Sequence, residues 1–176
     1  MLKNMWKKTS LTFVLIVLAL VVYCILPDKR SPPSALRYDL LKVEKSKRLL
    51  HAFSGGKCIK TYRIALGQQP VGHKEFEGDG KTPEGTYQIS LKNRNSRFHK
   101  SLGISYPNSK DKEHAQSLGK KPGGAIMIHG LPDRLAYVGK WHRLKDWTQG
   151  CIALTNEEMD EVFNAASVGI PIEILP

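Results

Sequence analysis

A cysteine and a histidine in this chain have neighbours that suit catalysis. Cys151 directly follows Gly150 in the segment Asp-Trp-Thr-Gln-Gly-Cys-Ile-Ala-Leu, and His129 ends an apolar run, Ala-Ile-Met-Ile, that precedes Gly130. A thiol becomes a strong nucleophile when a neighbouring base accepts its proton. The pattern therefore predicts that Cys151 is a nucleophile and that His129 is its base.

The small residues before the cysteine suit acyl chemistry. Because Gly150 has no Cβ, a substrate carbonyl can approach the Cys151 backbone closely. We expect the Gly150 and Cys151 N–H groups to form part of an oxyanion hole. For the Thr148 hydroxyl two interpretations stay open, a hydrogen bond to substrate and a hydrogen bond that stabilises the turn.

His142 is the rival base, since it also precedes Cys151. Its polar, aromatic surroundings, residues 140–145, predict a loop that lines a cleft, so we interpret His142 mainly as a substrate contact. His99 and His114 lie among polar residues and are predicted to be solvated. His129, His142 and Cys151 are acceptable zinc ligands by type, but their spacing matches no familiar zinc pattern. We predict neither a metal nor a cofactor.

These motifs resemble the signature of the L,D-transpeptidase catalytic domain (YkuD) family, in which His-Gly precedes Ser/Thr-x-Gly-Cys. The segment Thr-Pro-Glu-Gly at 82–85 is similar to the family's Thr-Pro-x-Gly, and the resemblance covers roughly residues 38–175. The closest pattern is the subgroup with Thr-x-Gly-Cys-Ile-Ala. The chain departs from the wider family at Gln149, where His or Lys is frequent, and at Ala153, where many members have Arg.

The resemblance implies an activity on peptidoglycan. The Cys151 thiolate would attack the carbonyl of the third residue of a stem peptide, a diamino acid, with His129 accepting the thiol proton. An amine acceptor then gives a 3→3 cross-link, an exchanged D-amino acid or an attached lipoprotein, whereas water gives hydrolysis. We assign oxyanion or substrate binding to Gly150, Thr148, Gly130 and His142.

A different class of function stays open. The alternative is a non-catalytic, membrane-tethered module that uses the cleft only to hold stem peptides, although the intact Cys151 and His129 pair argues against it. Labelling with a thiol-reactive probe, with and without His129, separates the two classes.

The N-terminus has the pattern of an export segment. A basic tip at 1–9 precedes an apolar run at 10–26, a proline-rich linker at 27–37 and the domain at 38–176. The run is short for a membrane span, which needs about 20 residues, but Tyr23 and Cys24 do not suit signal cleavage. We predict a single-pass anchor in the inner membrane with the domain in the periplasm. The alternative is a secreted periplasmic protein after cleavage.

The net charge of +11 is typical either of a solvated basic surface or of a protein with an anionic partner. Because no long Lys/Arg run is interleaved with aromatic residues, we expect the cell envelope rather than nucleic acid. An active Cys151 must be unpaired, and Cys58, in a strand-like alternation, is predicted to be a small buried hydrophobe.

The remaining patterns predict a mainly β domain, a sandwich or barrel-like fold with a few short helices, preceded by one transmembrane helix. Gly55 and Gly56 predict a hairpin turn. One helix is expected from Lys110 to Leu118. A second begins at Thr155 with a capping box to Glu158 and is expected to have Gly169 as its C-cap. Strands are expected at about 38–45, 48–53, 57–66, 85–91, 125–129 and 170–175.

Overall fold

The computed structural model describes residues 14–19, 21–22 and 36–176. The chain divides between Ser31 and Pro32 into two units. In the first, residues 14–19 and 21–22 are helical and exposed. The rest of the apolar run, the basic tip and most of the linker lie outside the described residues. No described helix has the length and apolarity that a membrane crossing requires.

The described part of the second unit forms one eight-stranded sheet with short helices. The sheet order is β3-β2-β1-β8-β4-β5-β6-β7. The strands are β1 Leu40–Glu44, β2 Leu49–Ser54, β3 Lys57–Arg63, β4 Gly85–Ser96, β5 His99–Ile104, β6 Met127–His129, β7 Ile152–Ala153 and β8 Pro171–Leu175. The helices are α1 Ser109–Ser117, a 3-10 helix Asp133–Leu144 and α2 Asn156–Ala165.

Alternating apolar residues build the core. In β1 the buried Leu41 and Val43 lie opposite Ile172 and Ile174 of the parallel strand β8. Successive side chains of a strand point to opposite faces, so these rows cover one face of the sheet. Helix α2 adds Met159 and its other buried apolar residues to the same core.

The two ends of the strand order come together. Beyond β3, Ala65 donates a hydrogen bond of 3.1 Å to the Ala153 carbonyl and accepts one of 2.8 Å from the Ala153 N–H. Farther along, Gly67 pairs with Thr148. These contacts join β3 to β7 and curl the sheet into a partly closed barrel, with the segment before Cys151 at the seam. Of the two predicted mainly β architectures, the barrel-like one is confirmed.

Local signals predicted several elements well. The Gly55–Gly56 hairpin joins β2 to β3 with φ values of 57° and 73°, which glycine adopts without strain. The capping box of α2 is present, because Thr155 accepts from the Glu158 N–H and Glu158 accepts from the Thr155 N–H. The prediction of Gly169 as the C-cap is wrong, since α2 ends at Ala165 and Ala166 is the C-cap.

Two strands were missed. β5 has buried residues at four consecutive positions, 101–104, so it has no alternation to read. β7 has only two residues, and the sheet around it defines it as a strand.

Candidate active site

Strand pairing brings Cys151 and His129 to one face of the sheet. β6 and β7 are parallel, with Ile128 opposite Ile152 and His129 opposite Ala153. Cys151 lies two residues before Ala153, so the backbone alternation places it on the face that His129 shares. The pairing therefore places Cys151, which directly precedes β7, diagonally opposite His129 of β6 in register.

The Cys151 thiol lies in a sheltered, partly exposed position. Its Sγ is 3.6 Å from the Ala125 carbonyl oxygen, an acceptor for the thiol proton. Burial raises the pKa of Cys151, while the Met127 N–H and the charge of Lys74 act in the opposite direction. The resting side chain is therefore a thiol that needs a base. Cys151 is free, as an active nucleophile requires.

His129 is 4% exposed, and its ring is fixed in one tautomer. Nδ1 lies 2.7 Å from the Gly130 carbonyl oxygen. Because a carbonyl only accepts, Nδ1 carries the proton and Nε2 keeps its lone pair. Burial lowers the pKa of His129, and the hydrogen bond to Gly130 opposes this shift. The side chain is accordingly a neutral base.

Two aromatic rings enclose His129. The Phe98 ring centroid is 4.5 Å from that of His129, and the Trp147 centroid is 5.7 Å away in an edge-to-face arrangement. Sequence reasoning missed both rings as site residues. Trp147 adjoins the Thr-Gln-Gly-Cys motif, which was an available signal, whereas nothing local marked Phe98.

The turn before Cys151 is held by Thr148. Its hydroxyl donates to the Cys151 carbonyl and accepts from the Gly150 N–H, at 2.7 and 3.1 Å. The hydroxyl stabilises the turn, which is one of the two interpretations left open. In this structure the Gly150 N–H donates to Thr148, and its oxyanion role stays a prediction. The Cys151 N–H has no acceptor within residues 36–176.

Gly150 is required by close packing. Its φ is +124°, and a Cβ there would lie 2.6 Å from the Lys81 carbonyl oxygen. Lys81, the residue directly before the Thr-Pro-Glu-Gly segment, therefore packs against the cysteine turn. Thr82 of that segment also accepts a 3.1 Å hydrogen bond from the Gly67 N–H at the barrel seam.

Gly130 is engaged on both sides of its backbone. Its carbonyl binds His129, and its N–H lies 3.1 Å from the Phe98 carbonyl and 3.3 Å from the Lys100 carbonyl. Two carbonyls accept from its N–H group in this structure, and the assignment of Gly130 to oxyanion or substrate binding stays a prediction.

His142 lies in the 3-10 helix and is 7% exposed, not in a loop as the sequence indicated. Its Nδ1 accepts from Trp147 Nε1 at 3.4 Å. Among the described residues its buried Nε2 has no partner. Burial, and then the charges of Arg143 and His129, lower the pKa of His142 to about 4. The ring is neutral, with its Nε2–H available as a donor.

Other sequence predictions met different outcomes. Cys58 is exposed on β3, so the prediction that it is buried is wrong. Strict alternation would place Cys58 on the same face as the buried Tyr62, but the register of β2 and β3 shifts between Ala52 and Phe53 and moves Cys58 to the other face. The histidines predicted to be solvated differ. His114 is exposed, but His99 is 25% exposed and binds Asp160 at 2.6 Å.

In the described ranges no group of three or more His, Cys, Asp or Glu side chains is arranged to hold a metal ion.

Asp146, to which the sequence assigned no role, fixes the start of the motif. Its carboxylate accepts from Arg48 Nε at 3.0 Å and from the Leu66 N–H at 2.9 Å. The segment that leads to Cys151 is therefore held across the seam by residues that flank β2 and β3.

A comparison with protein families decides what kind of domain carries this site. The model of the L,D-transpeptidase catalytic domain family, YkuD, matches residues 38–174. The chain belongs to this family. The resemblance found in the sequence motifs is thereby confirmed, and the partly closed barrel is that of an L,D-transpeptidase domain.

This L,D-transpeptidase domain has relatives of greater length. It is 31% identical over 107 residues to YafK of Escherichia coli K12, whose name describes a candidate L,D-transpeptidase. The match covers 60% of this chain and 36% of YafK. The chain therefore spans about a third of the length of that relative.

Two solved structures show the same fold. Pgp2 of Campylobacter jejuni, a helical cell shape determining protein, matches with a TM-score of 0.59 and 26% identity over 80% of this chain and 48% of Pgp2. Bd1075 of Bdellovibrio bacteriovorus matches with a TM-score of 0.55 and 24% identity over 82% of this chain and 50% of Bd1075. At that identity the second match shows the fold alone.

Proposed function

We propose that this protein is a cysteine-dependent acyltransferase that acts on peptidoglycan stem peptides. Membership of the L,D-transpeptidase domain family supports the class of reaction. The observation that carries the proposal is the hydrogen bond from His129 Nδ1 to the Gly130 carbonyl, because it leaves Nε2 as the base on the face that Cys151 shares.

The reaction begins with proton transfer from the Cys151 thiol to His129 Nε2. The thiolate sulfur attacks the carbonyl carbon of the diamino acid, and the carbonyl electron pair moves onto oxygen. When the tetrahedral intermediate collapses, the C–N bond to the terminal D-alanine breaks and the imidazolium returns its proton to the leaving amine. A thioester on Cys151 remains.

The Cys151 N–H is the backbone donor proposed for the oxyanion, since it has no acceptor in the described part of the chain. A backbone N–H on the residue that bears the nucleophile lies close to the forming C–S bond. It stabilises negative charge best in a site sheltered from water. The burial of His129 and the rings of Phe98 and Trp147 provide such surroundings.

His142 is proposed to contact substrate rather than to act as the principal base. A base with a pKa of about 4 holds a proton poorly at neutral pH. Its Nε2–H, buried and without a partner among residues 36–176, suits a substrate carbonyl or carboxylate oxygen. Trp147 Nε1 fixes this tautomer.

The second half-reaction sets the product. An amine that attacks the thioester gives a cross-link, an exchanged D-amino acid or a wall-attached lipoprotein, while water gives hydrolysis. Hydrolysis is the second candidate because Ala153 is fully buried and joins the barrel seam. Position 153 therefore offers no side chain to hold an acceptor.

The location follows from the same proposal. An anchor formed by residues 10–26 in the inner membrane would hold the domain at the periplasmic side, where stem peptides occur. The net charge of +11 favours an anionic wall. Membrane fractionation with N-terminal sequencing tests this point, and a mature chain that starts near residue 27 would identify a cleaved signal instead.

Mass spectrometry of the products from a defined tetrapeptide-bearing muropeptide tests the reaction. We expect an acyl-enzyme on Cys151, loss of D-alanine, and cross-linked or exchanged product when an amine is supplied. Water-derived product alone would favour the hydrolase. Binding of the muropeptide without an acyl-enzyme would favour the non-catalytic module and overturn the proposal.

A further inference from the structure

A side chain outside the motif reaches the peptide group that orients His129. Asn156, the first residue of α2, accepts a 2.7 Å hydrogen bond from the Leu131 N–H through Oδ1. The Leu131 N–H and the Gly130 carbonyl belong to one peptide group. That carbonyl accepts from His129 Nδ1 at 2.7 Å. Two hydrogen bonds therefore form a chain through this peptide group. His129 Nδ1–H donates to its carbonyl oxygen, and its N–H donates to Asn156 Oδ1.

We propose that Asn156 is a positioning residue that orients and tunes His129 through the Gly130–Leu131 peptide group. This inference rests on the proposed role of His129 as the base. In a trans peptide the C=O and N–H point in opposite directions, so the two hydrogen bonds run head to tail. Hydrogen bonds in such a chain polarise one another, and Asn156 strengthens the carbonyl as an acceptor for Nδ1–H.

The stabilisation of His129 by Asn156 increases during catalysis. When His129 takes the thiol proton it becomes an imidazolium, and its bond to the Gly130 carbonyl becomes charge-assisted. A peptide group already polarised by Asn156 stabilises that charge more than an unpolarised one. Asn156 touches neither substrate nor thiol in this scheme, and its action passes entirely through the peptide group.

The surrounding structure is built for this contact. The Leu154 N–H donates 2.9 Å to the His129 carbonyl, so the residues that lead into α2 run alongside His129–Leu131. The Thr155–Glu158 capping box then fixes the first turn of the helix. A Cβ on Gly130 would lie 2.6 Å from Asn156 Oδ1. Gly130 is thus explained by the approach of Asn156 rather than by its φ.

Other titratable groups surround this peptide and bear on its pH dependence. His99 lies beside Gly130 and is paired with Asp160, to which Lys100 also binds. The charges of His142 and His129 also interact. The matched control must leave all of these unchanged. Glu157, the exposed next residue of α2, meets this requirement.

The first test measures the tautomer of His129 in the free, full-length protein. Imidazole ¹⁵N chemical shifts of wild type, Asn156→Ala and the control Glu157→Gln are compared at neutral pH. We expect the Nδ1–H tautomer in wild type and in the control, and a larger Nε2–H fraction in Asn156→Ala. An Asn156→Ala spectrum identical to wild type would overturn the proposal. No substrate is needed, so this arm stands apart from the proposed function.

The second test measures single-turnover acylation of Cys151 by the tetrapeptide muropeptide against pH. Asn156→Ala is expected to lower the acylation rate about tenfold with little change in apparent KM, the effect of losing one hydrogen bond to a charged network. Asn156→Asp keeps the acceptor and adds negative charge, so it should retain most of the acylation rate. The added charge should also move the acid limb of the pH–rate profile, where His129 becomes protonated, to higher pH.

The outcomes of the two tests separate the positioning role of Asn156 from the proposed acyltransferase function. Equal losses in Asn156→Ala and Asn156→Asp, with an unmoved acid limb, would make Asn156 merely structural. If Asn156→Ala does not fold, the Asn156→Asp variant decides alone. An acid limb of its pH–acylation-rate profile at the wild-type pH would overturn the inference. If wild type forms no acyl-enzyme, the proposed function fails, and the tautomer measurement still decides the role of Asn156.

Discussion

The Thr148 hydroxyl donates a 2.7 Å hydrogen bond to the Cys151 carbonyl oxygen across the turn that presents the thiol. The Thr148 hydroxyl oxygen also accepts a hydrogen bond from the Gly150 N–H, so one side chain closes the turn from both ends. The two hydrogen bonds hold the turn locally and engage the Gly150 N–H.

Thr148→Val should therefore destabilise the domain by about 1–3 kcal/mol, because it leaves the buried Gly150 N–H without an acceptor. Thr148→Ser, the matched control, keeps the hydroxyl and should cost much less. Urea unfolding measures both free energies. Equal stability of the valine variant and wild type would show that the hydrogen bonds contribute nothing net.

Gly150→Ala should unfold more easily than Gly169→Ala. Both glycines have positive φ, +124° and +93°, but only at Gly150 would a Cβ meet backbone, the Lys81 carbonyl at 2.6 Å. Strain at an unfavourable φ costs about 1–3 kcal/mol in either variant, and Gly150→Ala adds the clash. The thermal midpoints of the two variants give the comparison, and equal midpoints would contradict the packing argument.

Cys151→Ala should abolish turnover while leaving the thermal midpoint nearly unchanged, because the partly exposed thiol makes few structural contacts. Cys58→Ala is the matched control and should retain activity, since Cys58 is exposed on β3. Product release from the muropeptide is the measurement. Wild-type turnover in Cys151→Ala would remove the cysteine from the mechanism.

His129→Ala and His142→Ala should affect different kinetic parameters. Loss of a general base costs roughly 10²–10⁴-fold in rate, so we expect His129→Ala to slow acylation of Cys151 by about that factor. His142→Ala should mainly raise the apparent KM, because its Nε2–H is proposed to bind substrate. Single-turnover acylation separates the two effects. The reverse pattern would assign the base to His142.

The rate of Cys151 alkylation by iodoacetamide should increase steadily with pH and stay low at neutral pH. Burial raises the pKa of Cys151 above its ordinary value of 9.0, so the reactive thiolate forms only when the pH is high. Peptide mapping by mass spectrometry distinguishes Cys151 from the exposed Cys58. A Cys151 rate that is already at its plateau at neutral pH would mean that the resting site holds a thiolate.

Local sequence determined much of this protein. Cys151, His129 and the order of the family motifs were readable because each depends on residue type and short spacing. The Gly55–Gly56 hairpin and the Thr155–Glu158 capping box were equally local, since one turn of backbone supplies both partners.

The tertiary structure decided what depends on distant partners. Gly150 is needed because the Lys81 carbonyl approaches it, and Gly130 because Asn156 does; neither neighbour is near in sequence. His142 is buried because the 3-10 helix packs it beside Trp147, although its polar, aromatic flanks predicted a loop that lines a cleft. β7 exists only because β6 and the residues after β3 flank it on either side. Packing across the chain sets the burial, the hydrogen-bond partners and the pKa values, which residue types alone do not encode.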